Sequence, residues 1–290
     1  MIKALSHYGH AVRDREAAVD MYARLFKLEV VERKDLPDDG VVNALCAIGD
    51  NFAEPLQPTD PQGILGRYIE TWGEGIYHIS LVVDDVDRQA AEMESKGARV
   101  IVQEANAELP TKRGWLHPKS GHGLMLEMLP EELLGDKRGK TSGARMGDTE
   151  VVKFSHAHHV VSSLDDALEM YDKLLGLKPI IRHDTPGQGV NNAIVPVGDN
   201  FIELLGPTDP DGLAGRFLAR KGEGLRSVCY TVRDMDAAAR FLDAEGIEYV
   251  KQNMHPTIEL PALWLRTKHT MGLLIEICPY DVIDQFYRAA

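Results

Sequence analysis

The sequence predicts an α+β fold made of two copies of one domain, each built from two βαβββ units. The first observation is an internal repeat without net insertion. The segment that begins at Ile48 (IGDNFAEPLQPTDPQGILGRY) returns at Val197 as VGDNFIELLGPTDPDGLAGRF. The second observation is that the order strand, helix, strands occurs twice within each copy. Four βαβββ units are therefore expected in the chain.

The domain limits follow from the repeat. With 290 residues, the chain is long enough for two domains that each bury a core. We predict an N-terminal domain at residues 1–130, a linker at 131–150 and a C-terminal domain at 151–290. The linker segment is polar, contains glycine and lacks hydrophobic periodicity, which is typical of a connection between domains.

The elements of the first copy follow from local patterns. A strand is predicted at 6–12, Asp14 caps the helix that comes next, and further strands occupy 40–56. The second unit repeats this order between residues 77 and 129, with a helix that ends before Gly97. Each copy therefore contributes two central strands that follow the same pattern.

Composition excludes several classes of partner. The net charge of −13 argues against nucleic acid or an anionic membrane, and no apolar run reaches the roughly 18 residues that a membrane helix needs. The start of the chain lacks the apolar core of a signal peptide, and the three cysteines are scattered. We expect a cytoplasmic protein that binds a small molecule. The sequence leaves open whether it is a monomer or a homodimer.

Four predicted strands of the first copy each carry one ionisable side chain among apolar neighbours: His7, Glu54, His78 and Glu127. Each of these alone is more typical of a buried histidine with its hydrogen bonds made, or of a carboxylate in an ion pair. Together, two imidazoles and two carboxylates favour a site for one divalent transition metal, with two further positions filled by water. The donor types are compatible with Co, Mn, Fe, Ni or Zn.

The second copy lacks one member of this set. His156, Glu203 and Glu276 occupy the matching positions, but Ser227 stands where the first copy has His78, 149 residues earlier (227 − 78). A serine hydroxyl is a poor replacement for an imidazole, so a vestigial, metal-free site is expected. The alternative is His158, which shares a strand face with His156 and could supply the missing group.

The pairing of the units is a second open point. If units one and two share a sheet, and units three and four another, the complete set is the one in the first copy. If units two and three pair instead, and one pairs with four, the complete set is His78, Glu127, His156 and Glu203. His78 and Glu127 belong to both sets.

The chain resembles the vicinal oxygen chelate superfamily, which includes glyoxalase I, extradiol dioxygenases and bleomycin-resistance proteins, and is most similar to methylmalonyl-CoA epimerase. The resemblance is carried by HYGHAV, GDNFAEPLQP, GEGIYHISLVVDD and WLHPKSGHGLMLEM. It implies tandem domains whose units form two half-open curved sheets, or cups. It also implies metal ligation by the four side chains named above. Tyr77, where a second histidine is common, and Pro55 depart from the pattern.

The resemblance implies an epimerase or isomerase that removes a proton from the carbon next to a carbonyl, in a substrate such as a methylmalonyl-CoA-like thioester. Glu127 is the first candidate for the base, and Glu54 could exchange a proton on the opposite face. The alternatives are an extradiol dioxygenase, a glyoxalase-type lyase and a binding protein without catalysis.

Five further residues are candidates for substrate binding. Trp115, His117, Lys119 and Ser120 lie in one segment near the expected mouth of the site, and Lys119 could meet a carboxylate or phosphate. Asn43 lies where another carboxylate would suit an epimerase, and its amide cannot act as a base.

Overall fold

A computed structural model describes residues 1–134, 137, 143–185, 189–254 and 259–283. The first half contains eight strands and four helices. The strands are β1 (Ile2–Ala11), β2 (Glu29–Leu36), β3 (Val41–Ile48), β4 (Asn51–Pro58), β5 (Gly75–Val83), β6 (Val100–Gln103), β7 (Arg113–Leu116) and β8 (Leu126–Pro130). The helices are α1 (Arg15–Phe26), α2 (Ile64–Trp72), α3 (Val86–Ser95) and α4 (Glu131–Leu134).

The second half repeats this order. Its strands are β9 (Arg145–Met146), β10 (Thr149–Val160), β11 (Ile181–Thr185), β12 (Val190–Val197), β13 (Asn200–Pro207), β14 (Gly224–Val232), β15 (Tyr249–Asn253), β16 (Pro261–Leu265) and β17 (Leu274–Pro279). Its helices are α5 (Leu164–Met170), which continues as a π-helical turn at Tyr171–Leu175, α6 (Leu213–Lys221) and α7 (Met235–Ala244). None of the helices in these described segments is long and apolar enough to cross a membrane.

The strand order decides how the units pair. The first sheet runs β2-β3-β4-β1-β5-β8-β7-β6, and the second runs β11-β12-β13-β10-β14-β17-β16-β15. Units one and two therefore share one curved sheet, and units three and four share the other, which confirms the predicted tandem of cups. The alternative set of His78, Glu127, His156 and Glu203 is wrong, because its members divide between the two sheets.

The predicted linker is partly structured. Residues 131–134 form α4, and β9 pairs with the start of β10 at Thr149 and Glu150. Residues 135–136 and 138–142 of that linker lie outside the described residues. Helices α2 and α6 were not predicted, since the repeated PTDP segment before each of them resembles a loop. Both begin after a glycine with an extended backbone, Gly63 and Gly212.

One hydrophobic core extends through both halves. Helix α1 buries the periodic face that its sequence predicts, and Tyr22 and Phe26 on that face are fully buried. Phe26 packs edge-on against Tyr230 of the other half, with ring centroids 5.0 Å apart. Tyr8 on β1 hydrogen bonds to Tyr22 and to Tyr230. The two domains therefore stabilise one another through buried aromatic contacts.

Polar contacts between the halves follow the repeat. The side-chain amides of Asn51 and Asn200 each donate to the other, at 3.2 and 3.0 Å. His10 donates from Nε2 to the carbonyl oxygen of Met271 at 2.9 Å. In the matching contact, His159 donates from Nε2 to the carbonyl oxygen of His122 at 2.7 Å. The halves thus meet through equivalent surfaces related by an approximate twofold axis.

We expect these interface histidines to make stability depend on pH. Burial lowers the pKa of both His10 and His159 to about 4, although the carbonyl that each one contacts opposes the shift. The unfolded chain binds protons near the ordinary histidine pKa of about 6.5, so stability is complete above that value and is lost as pH falls towards 4. Each histidine should lower the free energy of unfolding by about 2 kcal/mol as the pH falls from about 7.5 to about 5.

Urea unfolding of the wild type and of His10→Gln at both pH values measures this effect. Glutamine can donate to the same carbonyl and does not titrate, so the variant should lose less stability on acidification by about 2 kcal/mol. An equal loss in the two proteins would contradict a neutral, buried His10.

Candidate metal centre

The four ionisable side chains predicted from the first copy converge at the centre of the first cup. His7 Nε2 lies 3.3 Å from Glu54 Oε2 and 3.3 Å from Glu127 Oε2. His78 Nε2 lies 3.5 and 3.9 Å from the same two oxygens, and 3.4 Å from His7 Nε2. All four residues are buried. Two imidazole nitrogens and two carboxylate oxygens therefore face one small volume.

Adjacent strands place these groups. On β1, Gly9 is in register with Glu54 of β4 on one side and with His78 of β5 on the other. Glu127 of β8 is in register with Ser80 of β5. Because side chains alternate along a strand, the ionisable groups all point to the concave face.

Gly9 provides the space for the His78 ring. A Cβ atom at this position would lie 2.2 Å from His78 Nδ1 and 2.3 Å from His78 Cε1. Those distances are far below van der Waals contact, so any larger residue would displace the ring. The glycine is required by the close approach of a side chain, since its own φ lies outside the left-handed region.

Neighbouring polar groups orient the cluster. Ser6 Oγ lies 3.0 Å from His7 Nδ1, which leaves Nε2 to face the carboxylates. The Asn43 amide donates to Glu54 Oε1 at 2.5 Å. Arg113 donates from Nη1 to Glu127 Oε1 at 3.4 Å. In each carboxylate, Oε1 is held by a donor and Oε2 faces the histidines, as is common for metal ligands and their supporting contacts.

The electrostatics of the cluster favour an ionised Glu127. Burial would raise the pKa of Glu127, but His7, His78 and Arg113 outweigh it and hold that pKa at about 2. Burial likewise opposes protonation of His7, yet Glu54 and Glu127 outweigh it and raise the pKa of this imidazole to about 9. For His78 burial prevails and lowers the pKa. A cation is thus favoured at this point, and in the metal-free protein the protonated His7 imidazole takes that role; a metal bound at Nε2 would displace this proton.

The donor set fits one divalent ion. Donors bound about 2.1 Å from a metal and at right angles to one another are about 3.0 Å apart. Most distances in the cluster are 3.3 to 3.5 Å, and the longest, from His78 Nε2 to Glu127 Oε2, is 3.9 Å. His7, Glu54 and His78 offer ligand atoms that all lie within 4.8 Å of one another, a group that does not include Glu127. Two nitrogens and two oxygens suit first-row transition metals and leave two positions open in an octahedral site.

A cavity of about 260 Å³ opens above the cluster. Glu54, His78 and Glu127 form its floor. Apolar side chains form most of the wall: Leu36, Val41, Leu56, Leu65, Tyr77, Trp115 and Met125. Ile64 at the start of α2 and Ile101 on β6 also line the cavity, and both are exposed. The site therefore combines a polar floor with an apolar wall and rim, as small-molecule sites do.

The predicted substrate-binding residues divide into three groups. Trp115 and His117 line the cavity, and the Trp115 ring lies edge-on to His78 with centroids 5.2 Å apart. Asn43 lies behind Glu54 and does not line the cavity. Lys119 and Ser120 lie in a different cleft, at the 3₁₀ turn that follows β7, and Ser120 Oγ accepts a hydrogen bond from the Arg99 amide.

Sequence reasoning missed a buried network beside the cluster. Arg113 donates to Asp39 Oδ2 at 2.8 Å in addition to its contact with Glu127. Gln103 donates to Asp39 Oδ1 at 2.7 Å and accepts from the indole of Trp115. The sequence could have indicated Arg113, because it lies two residues before Trp115 on β7 and side chains two apart on a strand share a face.

Comparison with known proteins shows a family match in each half of the chain. A family model described as "Glyoxalase/Bleomycin resistance protein/Dioxygenase superfamily" matches residues 6–113 and again residues 155–259. Mitochondrial methylmalonyl-CoA epimerase of Bos taurus is 26% identical over 126 residues, which is 43% of this chain and 72% of the bovine protein. Lactoylglutathione lyase of Oryza sativa subsp. japonica is 25% identical over 196 residues, or 63% of this chain and 57% of the rice protein.

A solved structure extends the similarity to both halves. A triple mutant of 4-hydroxymandelate synthase from Streptomyces coelicolor superposes with a TM-score of 0.71 and covers 96% of this chain and 93% of its own. The two sequences are 16% identical, so this match shows a shared fold alone.

Gly9→Ala should disrupt the first cup. The added methyl group would push the His78 ring out of the cluster, so divalent-ion binding in this cup should weaken by about 100-fold. Titration calorimetry with Co²⁺ on metal-free protein measures the affinity, and a thermal melt checks folding. The matched control is Gly143→Ala, since this exposed glycine has no positive φ and a Cβ there would meet only Glu29 Oε1, at 3.8 Å. Wild-type affinity in Gly9→Ala would contradict the placement of His78.

Proposed function

Because the chain belongs to the Glyoxalase/Bleomycin resistance protein/Dioxygenase superfamily, we propose that its first cup is the active site of a metal-dependent isomerase. The reaction is removal and return of a proton at a carbon next to a carbonyl, as in an epimerase. The observation that carries the proposal is the cluster of two imidazoles and two carboxylates beneath a mostly apolar cavity.

His7, Glu54, His78 and Glu127 would hold one divalent ion, of Co, Mn, Fe, Ni or Zn. When bound, this ion supplies a Lewis acid for the negative charge that develops on the substrate oxygen. Asn43 and Arg113 keep the two carboxylates turned towards it, since each donates to the oxygen on the far side. The roles of these residues follow from their positions and from the chemistry of their side chains.

We assign the first proton transfer to Glu127. Its Oε1 atom has a longer contact, 3.4 Å from Arg113, than the 2.5 Å contact between Glu54 Oε1 and Asn43. Glu127 is therefore the less firmly held carboxylate and the better able to turn towards substrate. Glu54 lies across the cluster and would return a proton to the opposite face, which inverts the carbon.

The cavity favours a substrate with a compact apolar acyl group. Its walls are mostly apolar, and its volume of about 260 Å³ accommodates the reacting end of a larger molecule. Trp115 and His117 would contact this end, while exposed Ile64 and Ile101 offer an apolar rim for the remainder. A branched acyl thioester of the methylmalonyl-CoA type would place its methyl group against these walls and its free carboxylate at the polar floor, where the divalent ion would bind. Lys119 and Ser120 have no place in this proposal, because they lie in another cleft.

A glyoxalase-type lyase is the second candidate. Its reaction also begins by removing a proton next to a carbonyl, and the chain is similar to lactoylglutathione lyase over 63% of its length. A dioxygenase is disfavoured by Glu54, since non-haem iron oxygenases use two histidines and one carboxylate and leave the other positions open. Here the second carboxylate lies 3.3 Å from His7 Nε2, inside the cluster.

Proton exchange in deuterated water tests the proposal. Metal-loaded protein should place deuterium at carbon 2 of a 2-methyl-branched acyl-CoA, as followed by NMR, and a chelator should abolish the exchange. Glu127→Gln removes the base but keeps a carbonyl oxygen at the site, so exchange should slow by about 10²- to 10⁴-fold.

Lys119→Ala is the control, and it should exchange at the wild-type rate because the residue lies outside the cavity. Three results count against an epimerase: no exchange with any of the five metals, conversion of a thiohemiacetal in its place, or oxygen uptake with a catechol when ferrous iron is present. The second result would identify the lyase, and the third would identify a dioxygenase.

A further inference from the structure

The second cup contains a full set of donors, although Ser227 replaces the histidine of the first cup. His158 Nε2 lies 3.2 Å from Glu203 Oε2 and 3.4 Å from Glu276 Oε2. His156 Nε2 lies 3.5 and 3.4 Å from the same oxygens. These distances match those in the first cup, and all four side chains are buried.

His158 supplies its imidazole from the neighbouring strand. It is in register with Ser227 of β14, just as Gly9 is in register with His78 of β5. The ring of His158 lies 5.5 Å from that of Trp264, and the ring of His78 lies 5.2 Å from that of Trp115. Trp264 is the repeat equivalent of Trp115. The two imidazoles therefore occupy equivalent places on opposite members of a strand pair.

The two arrangements exclude one another. In the first cup, a side chain on Gly9 would overlap the His78 ring, because its Cβ would lie 2.2 Å from Nδ1. In the second cup, His158 occupies the position equivalent to Gly9, and its imidazole needs a small residue on the neighbouring strand. Ser227 meets that requirement. The serine thus accompanies a relocated histidine and is not evidence that the ligand was lost.

An arginine also lies on a different strand in each cup. The first cup has Arg113 on β7 and Tyr77 on β5, and the second has Ala262 and Arg226 at the equivalent positions. Arg226 is partly buried, its guanidinium lies 5.3 Å from the centre of the Trp264 ring, and Glu276 and Glu203 oppose the lowering of its pKa by burial. Each cup therefore retains two carboxylates, two imidazoles and one arginine.

Supporting contacts orient the second set. Ser227 Oγ lies 3.0 Å from His158 Nδ1, and Ser155 Oγ lies 3.1 Å from His156 Nδ1. Asn192 donates to Glu203 Oε1, as Asn43 does to Glu54. His156 Nε2 is buried and makes no hydrogen bond within the described residues. That nitrogen faces both carboxylates, so a cation there would satisfy it.

We propose that the second cup is a divalent metal site in its own right, with His156, His158, Glu203 and Glu276 as ligands. The chain then binds two ions, one in each cup. A cavity of about 300 Å³, lined in part by His158, Glu203 and Arg226, opens onto this site. The ligand set rests on geometry in the second sheet, so it holds whether or not the first cup is an epimerase.

Cys229 is the competing ligand. It could join His156 and Glu276, since one atom from each lies within 4.8 Å of the others. Its thiol, however, lies 3.7 Å from the carbonyl oxygen of Tyr230 and can donate to it. The first copy has Ser80 at the equivalent position, beside a complete set that does not need it. The proposal therefore leaves Cys229 out of the ligand set.

Metal counting tests the proposal. Metal-free protein is loaded with Co²⁺, freed of excess ion and measured by elemental analysis, with visible absorption as a second readout. The wild type should hold two ions. His158→Gly introduces the residue that the first cup has at the equivalent position. This variant should hold one ion, because the affinity of the second cup should fall by about 100-fold or more. His78→Ser should also hold one.

Two further variants control for damage to the fold. The double variant His158→Gly/Ser227→His rebuilds the first-cup arrangement in the second cup and should restore the second ion. Cys229→Ser should keep two ions. One ion in the wild type that persists in His158→Gly would overturn the proposal, as would two ions in His158→Gly. Loss of an ion in Cys229→Ser with no loss in His158→Gly would assign the site to the cysteine set.

Discussion

The space between two neighbouring central strands admits one imidazole, and both sites depend on that constraint. In the first cup Gly9 leaves the space to His78, and in the second Ser227 leaves it to His158. In both cups the imidazole lies between equivalent carboxylates. This is possible because the two strands that can carry the histidine, β1 and β5 or β10 and β14, are direct neighbours. The position of the imidazole is therefore the same in both cups, although the strand that carries the histidine differs.

Two carboxylates lie beside this imidazole in each cup, and other residues of the cup must balance their negative charge. Two buried carboxylates at one point would repel each other, and burying them without partners would cost several kcal/mol. His7 and Arg113 provide positive charge in the first cup, and Arg226 does so in the second. The amides of Asn43 and Asn192 hold the outer oxygens. These contacts offset part of the repulsion, and a metal that binds His7 Nε2 would take the place of the proton on that imidazole.

The sequence was sufficient to predict the duplication, the cups and the meeting of four side chains in the first cup, because the repeat and strand alternation determine which residues share a face. It could not decide how the units pair, since either pairing leaves two histidines and two glutamates together. It favoured a loss at Ser227 over the alternative of His158, because a position-by-position comparison gives more weight to the residue at the equivalent position than to one on the adjacent strand. Lys119 follows the alternation of β7 in sequence but lies beyond its end, where the chain turns away. Arg113 was overlooked, although it is on the same face as Trp115.

The exclusion between the two strand positions also restricts how the copies diverged during evolution. A histidine acquired at position 158 while another remained at 227 would have produced the overlap that Gly9 avoids. With the ligand set proposed for the second cup, a route of single substitutions that avoids this overlap has small residues at both positions and only three ligands in that copy at one stage. A duplicated chain tolerates such a step, since its other copy preserves a complete set while natural selection finds the replacement.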